Sequence, residues 1–517
     1  MDIPSGLGSV DDLIKRFSVA SSLWEQWRSL HQDAFDYSMP QTETFTDKAP
    51  GQHKGRRVYD STAVDGVGRF ASRLQAALTP PWMEWAEFVA GSEIPEKERE
   101  KINESMEKLG EIFFSYMNHS DFSNQDNSAN RDLSVGTGGL MFEEGDPLQN
   151  EPLFKFTAIP LAQLYLEPST GARVETFWRK HSIEARQLKQ LWPEGDFGTE
   201  LEKTIADKPN EKVEILDGVL KNGLSYDQVV LHEKYKQVIF TQSYETNPGI
   251  IFRWEVSPNE TYGRGPIITK LDDIKTLNKV VEFELKQAAL ALSPPMTAVD
   301  DGVFNPYTAR VHPGTTMPVS SNASTNPTLA VLDVGGNFAI SKEMKQELRL
   351  SINTSLFVNP LGDITDPVRS ATENLIRQQE MLKDSGASFG RLMTEKLRAI
   401  IVRGMEILAK NGKAPAIRVD GKEVDINFLS PIAKANDMED FSNSQVWYSM
   451  VQQLPPEVGM LGANLAALPR YWGEKLGIPA ELSSTEDEIK EAGQQIAQAA
   501  EQQLQQQQGM PPEGAPQ

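Results

Sequence analysis

Between Pro266 and Leu292, apolar residues recur at intervals of three and four positions, close to the 3.6-residue period of an α-helix. The run begins with a proline, a residue that the first turn of a helix tolerates. It ends at Ser293-Pro294-Pro295, where proline cannot continue the hydrogen-bond ladder. The pattern predicts one helix over residues 266–292, about 40 Å long at the usual rise per residue.

The segment that follows has a different composition and leads to a second helix. Residues 296–340 are rich in proline, glycine, serine, threonine and asparagine, with three short strand-like pieces. These pieces are Met296–Val299, Ala309–His312 and Leu329–Val334. Helical periodicity returns from Lys342 to Val358. We therefore expect a helix, a small β element and a second helix in succession.

The rest of the chain contains both kinds of secondary structure, which predicts an α+β fold. Three helices are expected near the start, over Val10–Tyr37, Asp60–Leu78 and Pro95–Asn118. Short β-type runs occupy residues 133–252, with one helical interruption over residues 182–192. The runs are Leu153–Ile159, Leu164–Leu166, Glu175–Arg179, Gln228–Leu231 and Gln237–Gln242, and Asn222-Gly223 marks a turn.

A long helix is predicted in the last third of the chain. Ser370 and Glu373 have the spacing of a capping box, and the helical pattern runs to Lys410, where Asn411-Gly412 is a stop signal. Gly386 and Gly390 are the candidate positions for a kink. Further helices are expected beyond residue 431, including a glutamine-rich stretch over residues 494–508.

Length, charge and cysteine content exclude several classes of protein. A chain of 517 residues exceeds one compact core, so we expect two to four packing units. The formal charge of −22 opposes non-specific binding to phosphate backbones. Because there is no cysteine, disulfides and thiolate metal sites are impossible. The chain shows neither a signal-peptide pattern nor a run of ~20 apolar residues, so we expect a soluble protein.

No motif in the sequence supports catalysis. The stretch Val135–Gly139 is glycine-rich but lacks the lysine of a nucleotide-binding loop, and we interpret it as a tight structural turn. The six histidines lack the i, i+4 spacing of a helical zinc site. Adjacent acids occur at Asp272-Asp273 and Asp300-Asp301, but neighbours on a helix diverge by about 100°. The sequence therefore predicts no enzyme activity, no cofactor and no metal.

Several stretches between residues 10 and 490 occur in an order typical of one protein family. They are Arg56–Ala63, Leu78–Phe88, Val135–Gly138 with Phe156–Leu161 and Arg179–Trp192, Arg253-Trp254 with Tyr262–Pro266, Ser370–Glu373 with Arg377 and Glu380, and Leu476–Pro479 with Glu486–Glu488. Each stretch alone is weakly specific, but all of them are unlikely to occur in this order by chance. In this combination the chain resembles the portal, or head-to-tail connector, proteins of short-tailed bacteriophages.

The resemblance implies a particular α+β architecture, the portal-type fold. A mixed α/β wing would comprise residues 1–265 and 370–430, the second part including the long helix. Two stem helices, 266–292 and 342–358, would bracket a small β-containing clip at 293–341. A tunnel loop would cover 359–369, and a mainly helical crown with the glutamine-rich tail would cover 431–517.

The resemblance also implies a function. Such proteins form a homo-oligomeric ring, most often a dodecamer, at one vertex of the capsid, through which double-stranded DNA is packaged and later ejected. The expected partners are the terminase large subunit, which docks on the clip, then head-tail adaptor and tail proteins, and also scaffolding and major capsid proteins. We expect no membrane contact, with assembly in the host cytoplasm and a final location in the virion.

Four basic residues are candidates for guiding DNA through the channel: Lys342, Lys345 and Arg349 on the second stem helix, and Arg369 after the tunnel loop. The alternative is that they are ordinary surface charges paired with Glu343 and Glu347. The candidate tunnel-loop residues are Asn359, Pro360, Leu361, Gly362, Asp363, Ile364, Thr365 and Asp366. The net acidity of the chain suits a conduit, since tight phosphate contacts would slow sliding.

Two other functions remain open at this point. The first is another oligomeric virion component, such as a tail or internal-core protein, which would share the acidity and the lack of motifs. The second is a metal-dependent nuclease that uses Asp363 and Asp366, since carboxylates hold Mg²⁺ in such enzymes.

Overall fold

The computed structural model describes residues 3–42, 58–91, 94, 96–146, 151–169, 173–292, 296–298, 329–331, 338–358, 386–415, 424–429, 431–452 and 468–476. Several expectations lie outside these residues. They are the tunnel loop 359–369 with Arg369, the strand-like piece Ala309–His312, the capping box Ser370–Glu373 and the glutamine-rich stretch 494–508.

The first part of the described chain is helical. The helices are α1 (Val10–Ser38), α2 (Thr62–Leu78), α3 (Glu96–Asn118) and α4 (Phe122–Leu133). Ser9 caps α1, because its hydroxyl accepts a hydrogen bond from the Asp12 amide while the Asp12 carboxylate accepts one from the Ser9 amide. The three predicted helices are confirmed, whereas α4 was not predicted. Its inner face carries the buried polar residues Asp126 and Asn130, so the apolar periodicity is weak.

Two antiparallel sheets follow. The strands are β1 (Ala86–Ala90), β2 (Thr137–Glu144), β3 (Phe154–Ala158), β4 (Leu164–Leu166), β5 (Phe177–Glu184), β6 (Lys212–Asn222), β7 (Ser225–His232), β8 (Gln237–Tyr244) and β9 (Gly249–Arg253). One sheet has the order β3-β2-β9 and the other β4-β5-β6-β7-β8. The predicted turn at Asn222-Gly223 joins β6 to β7, with Gly223 at a positive φ of 63°.

This β region differs from the sequence expectation in two respects. The predicted helix over 182–192 is shorter, because β5 continues to Glu184 in register with β6 and only Ala185–Leu191 (α5) is helical. A second helix, α6 (Gly198–Asp207), and the strand β6 were not predicted. Pairing of β6 with neighbours on both sides stabilises a strand whose own sequence includes glycine and several charges.

The two helices predicted over residues 266–292 and 342–358 are present with altered ends. The first is divided at Lys270 into α7 (Pro266–Thr269) and α8 (Leu271–Leu292), and the Thr269 hydroxyl donates a hydrogen bond to the Gly265 carbonyl at the end of α7. The strands β10 (Met296–Ala298) and β11 (Leu329–Val331) pair with each other. The second helix, α9, spans Phe338–Ser355 rather than 342–358, and it ends before Phe357, whose φ is +57°.

The long C-terminal helix is irregular at an unexpected place. Its described part comprises α10 (Gly386–Leu392), a π-helix (Met393–Leu397) and α11 (Arg398–Lys410). The irregular turn thus follows the predicted kink positions Gly386 and Gly390 rather than coinciding with them. Gly412, with φ +64°, confirms the predicted stop. The chain continues as β12 (Val424–Phe428), α12 (Pro431–Gln452) and α13 (Leu468–Leu476), and β12 pairs with β1.

The π-helix carries two adjacent buried charges that bind different elements. Glu395 forms an ion pair with Arg253 at the end of β9 (2.8 Å), and it also accepts the Arg253 backbone N–H (3.0 Å). Lys396 forms an ion pair with Asp126 of α4 (2.6 Å) and donates to Asn130 (2.8 Å). Burial lowers the pKa of Lys396, although the charge of Asp126 opposes that effect. A buried charge is tolerated only with such partners, so these pairs fix the packing of three elements.

A crossing of glycine backbones joins the start of β2 to the start of α7. The Gly265 amide donates to the Val135 carbonyl (2.7 Å), and the Ile267 amide donates to the Ser134 carbonyl (3.0 Å). A Cβ atom on Gly136 would lie 2.0 Å from the Gly263 oxygen, and one on Gly263 would lie 2.2 Å from the Gly136 oxygen. Only glycine permits this approach. The predicted structural turn is therefore confirmed for Val135 and Gly136, whereas Thr137–Gly139 already belong to β2.

Substitution Gly263→Ala should lower the free energy of unfolding by about 2–3 kcal/mol, because the new methyl group collides with a backbone oxygen that cannot move away. Urea unfolding followed by circular dichroism measures the change. Gly68→Ala in α2 is the control, since a Cβ there meets nothing within 4 Å and alanine favours a helix. Equal stability of the two variants would contradict the close crossing.

A buried acid lies in the five-stranded sheet. Asp217 of β6 accepts hydrogen bonds from Gln228 of β7 (3.0 and 3.1 Å), and Gln228 in turn accepts one from Tyr244 of β8 (2.9 Å). Burial raises the pKa of Asp217 to about 6; the bond from Gln228 and the charge of Arg179 oppose this shift, and Glu143 adds to it. The Asp217 carboxyl group therefore holds its proton more tightly in the folded state than in the unfolded state.

Because the pKa of Asp217 is higher in the folded state, its stabilising effect is complete below pH 4 and is lost as the pH rises to about 6. Asp217→Asn removes this dependence. The variant should exceed the wild type in melting temperature at pH 7.5, by an amount equivalent to about 2–3 kcal/mol. The gap should narrow as the pH falls to 5.5. A difference in melting temperature that stays constant or grows as the pH falls would contradict the raised pKa of Asp217.

Candidate functional site

The helices α8 and α9 form an antiparallel pair that leaves the main core. Glu284, in the second half of α8, contacts Ser341 and Lys345 near the start of α9. Asp273, near the start of α8, accepts a hydrogen bond from Ser351 near the end of α9 (3.3 Å). Below we call α8 and α9 the helix pair. The pair contains three of the four basic residues predicted to guide DNA, so it is the candidate functional site.

The root of the helix pair is held by the core. Leu271, Ile274 and Leu277 are buried in the largest apolar cluster, which also includes residues of α2, α4, β2, β9 and α11. Asn278, also buried, accepts hydrogen bonds from the backbone N–H groups of Tyr59 (2.8 Å) and Asp60 (3.1 Å). A polar residue on the apolar face of a predicted helix was the sequence signal for this contact, and it was missed.

Two of the predicted DNA-guiding residues bind carboxylates of the chain itself. Lys345 pairs with Glu284 on the facing helix, and Arg349 pairs with Asp60, its Nε atom lying 3.0 Å from the Asp60 carboxylate. The alternative expectation had named Glu343 and Glu347 as partners; that pairing is wrong, because the helix pair turns Lys345 toward α8 and Arg349 toward the start of α2. The charges of Lys345 and Arg349 are therefore compensated within the chain.

The pairing with Arg349 affects the acidity of Asp60. Burial by itself would raise the pKa of Asp60, but hydrogen bonds from Thr62 and Arg349 outweigh it, and the pKa is lowered below its usual value. A carboxylate with a lowered pKa stabilises the fold at neutral pH, and this contribution is lost only as the pH falls below about 4. The clamp between α9 and α2 is thus intact at physiological pH.

The remaining predicted residues are placed differently. Lys342 is exposed, and within the described ranges no carboxylate pairs with it. Glu343 and Glu347 are also exposed, on the side of α9 away from α8. Arg369 and the tunnel-loop residues Asn359 to Asp366 lie outside the described residues. The outward side of α9 therefore presents acidic side chains together with one free lysine.

The outer half of α8 exposes apolar residues along two flanks. Phe283 and Leu290 share one flank, because seven residues correspond to nearly two full turns. Leu285 and Leu292 share another flank, about 160° around the axis, and Glu284, which faces α9, lies between them. Phe283 is 56% exposed and Leu285 is 55% exposed. We call these flanks stripe A (Phe283, Leu290) and stripe B (Leu285, Leu292).

The described residues offer little chemistry. They contain no group of three or more histidine or acidic side chains that could hold a metal ion. Asp273, one of the adjacent acids noted in the sequence, binds Lys270 (3.4 Å) and Ser351. Asp300, Asp301, Asp363 and Asp366 lie outside the described ranges. None of the described helices is both long enough and apolar enough to cross a lipid bilayer.

Comparison with models of known protein families gives a match over most of the chain. A family model described as bacteriophage head to tail connecting protein matches residues 10–483, nearly the whole chain. No curated protein matches the chain. The match includes both helices of the pair and the glycine crossing at their root.

Removing the Arg349 side chain should release α9 from α2. Arg349→Gln should lower the free energy of unfolding by about 1–2 kcal/mol, because the buried Asp60 loses a charged partner while the half-exposed arginine loses little. Asp60→Asn combined with Arg349→Gln should cost less than the sum of the two single changes. Urea unfolding of all four proteins measures the coupling; strictly additive effects would contradict the pair.

Proposed function

The chain belongs to the family of bacteriophage head-to-tail connecting proteins, and on that premise we propose that its copies close into a ring around a DNA channel. Membership makes it a structural component of the virion, at the junction of head and tail. In the proposal the ring occupies one capsid vertex, and double-stranded DNA enters through it during packaging and leaves through it during ejection. The ring is proposed to contain twelve copies.

The observation that supports a ring is the pair of apolar stripes on α8. Self-association through one patch repeated on both partners gives a closed dimer, whereas a ring requires two different patches, one on each side of the subunit. Stripes A and B lie on nearly opposite flanks and differ in their residues. Burying one against the next copy leaves the other free for a further copy, so association continues until the ring closes.

The charge of the helix pair supports a passage rather than a clamp. Lys345 and Arg349 are paired with carboxylates, and the outward side of α9 carries the exposed Glu343 and Glu347. Such a surface repels phosphates, which lets a duplex slide instead of binding it tightly. Lys342 is exposed and has no carboxylate partner among the described residues, so it could meet DNA directly, whereas Lys345 and Arg349 would have to leave their partners to do so.

The remaining parts of the proposal concern partners and regions. We assign residues 1–265 and 370–430 to the wing, 266–292 and 342–358 to the stem, 293–341 to the clip, 359–369 to the tunnel loop and 431–517 to the crown. The terminase large subunit would dock on the clip during packaging and give way to head-tail adaptor and tail proteins. Scaffolding and major capsid proteins would contact the ring during assembly in the host cytoplasm. The proposal assigns no catalytic step to this chain.

Separate changes to the two stripes test the ring. Phe283→Asp disables stripe A and Leu285→Asp disables stripe B, so each variant alone should remain monomeric. An equimolar mixture should form a heterodimer and nothing larger. The intact stripe B of Phe283→Asp binds the intact stripe A of Leu285→Asp, and the two stripes that remain exposed on the heterodimer are the disabled ones. Light scattering after gel filtration measures the masses.

Leu191→Asp is the matched control, since Leu191 is 54% exposed but lies on α5, away from the helix pair. It should assemble like the wild type. If either stripe variant still forms rings, or if the mixture restores them, the two-sided contact through α8 is wrong.

A further inference from the structure

Two arginines of α2 stand together beside the end of α9. Arg69 and Arg73 are four residues apart, so their side chains lie one above the other on the same face of the helix. That face is turned toward α9: Gly66 contacts Leu356, and the Phe70 ring stacks on Phe357 with centroids 5.8 Å apart. The Arg73 guanidinium donates to the Phe357 carbonyl.

Among the described residues, these two arginines lack the carboxylate partners that Lys345 and Arg349 of α9 have. Lys345 has Glu284 and Arg349 has Asp60, but no ion pair to Arg69 or Arg73 exists among the residues that the structure describes. Asp65, one turn before Arg69, instead accepts a hydrogen bond from Ser61 (3.1 Å). Burial and then repulsion by Arg69 lower the pKa of Arg73.

We propose that Arg69 and Arg73 together bind a phosphate group of the DNA backbone. This inference rests on the proposed function, because it places DNA in the channel of the ring. Guanidinium groups offer paired N–H donors that match the oxygens of a phosphate, and one anion between two arginines removes their mutual repulsion. Phe357 fixes Arg73, so part of the entropy cost of ordering the site is already met in the free protein.

The position of the pair favours DNA over a free phosphate ion. Phe357 and Val358 are the last described residues before the segment 359–369, which the proposed function assigns to the tunnel loop. A contact there would recur once per subunit around the ring, in register with a duplex in the channel. Arg69 is exposed, and among the described residues it takes part in no hydrogen bond or ion pair, so its guanidinium can reach a passing phosphate.

Assembled rings of the Arg69→Gln variant test the inference. With a 30-base-pair DNA duplex of mixed sequence as the probe, wild-type rings should bind with an affinity that falls as salt rises. Arg69→Gln should weaken binding at low salt by at least about fivefold and make the salt dependence shallower, with unchanged melting temperature. Arg186→Gln is the control, because Arg186 lies on α5 and pairs with Glu184 (2.7 Å).

The absence of cysteine allows a second, direct measurement. Arg69→Cys labelled with a photoreactive crosslinker should attach to the duplex on irradiation, and labelled Arg186→Cys should not. Equal binding by wild type and Arg69→Gln, or no crosslink from position 69, would overturn the inference while rings still support the proposed function. Failure of Arg69→Gln to assemble would also overturn it, since Arg69 would then contact the neighbouring copy in the ring rather than DNA. Absence of rings from the wild type would overturn both.

Discussion

The contact between the backbones of Gly136 and Gly263 fixes the place in the core from which the helix pair begins. Two peptide chains approach so closely there that neither position has room for a side chain. The hydrogen bonds beside it tie Ser134 and Val135, which lead into β2, to the residues that begin α7. The short helix α7 links this joint to α8, and the buried residues Leu271 and Ile274 hold the direction of α8 from there. In the proposed ring, a small error at the joint would misplace both apolar stripes relative to the next copy.

Several cations of the chain are compensated by its own carboxylates. Lys396 and Arg253 are buried against Asp126 and Glu395, and Arg349 holds Asp60 at the root of the helix pair. Burying Lys396 and Arg253 removes two cations from the surface of a chain whose net charge is −22, and Asp60 compensates the half-exposed Arg349. Such a surface repels phosphates, so Arg69 and Arg73, which have no carboxylate partner among the described residues, form a local basic site on it.

The sequence predicted the long helices well because their apolar residues repeat with a clear helical period, as in α1, α2 and α8. The prediction failed where polar residues on the inner face of a helix interrupt the apolar periodicity. The inner face of α4 carries Asp126 and Asn130, and their partner Lys396 lies about 270 residues away, so the pairing depends on tertiary structure that no local pattern contains. The same limit applies to the candidate site. The basic residues of α9 were identified from the sequence, but their partners Glu284 and Asp60 come from other elements.

The central claim is that a single acidic chain builds a closed, two-sided assembly with a passage for DNA along its axis. Electron microscopy of the purified wild-type chain tests it most directly. The account predicts ring-shaped particles with an axial hole and no DNA cleavage or nucleotide hydrolysis in the same preparation. Particles that remain monomeric, or that stop at a symmetric dimer under every assembly condition, would contradict it.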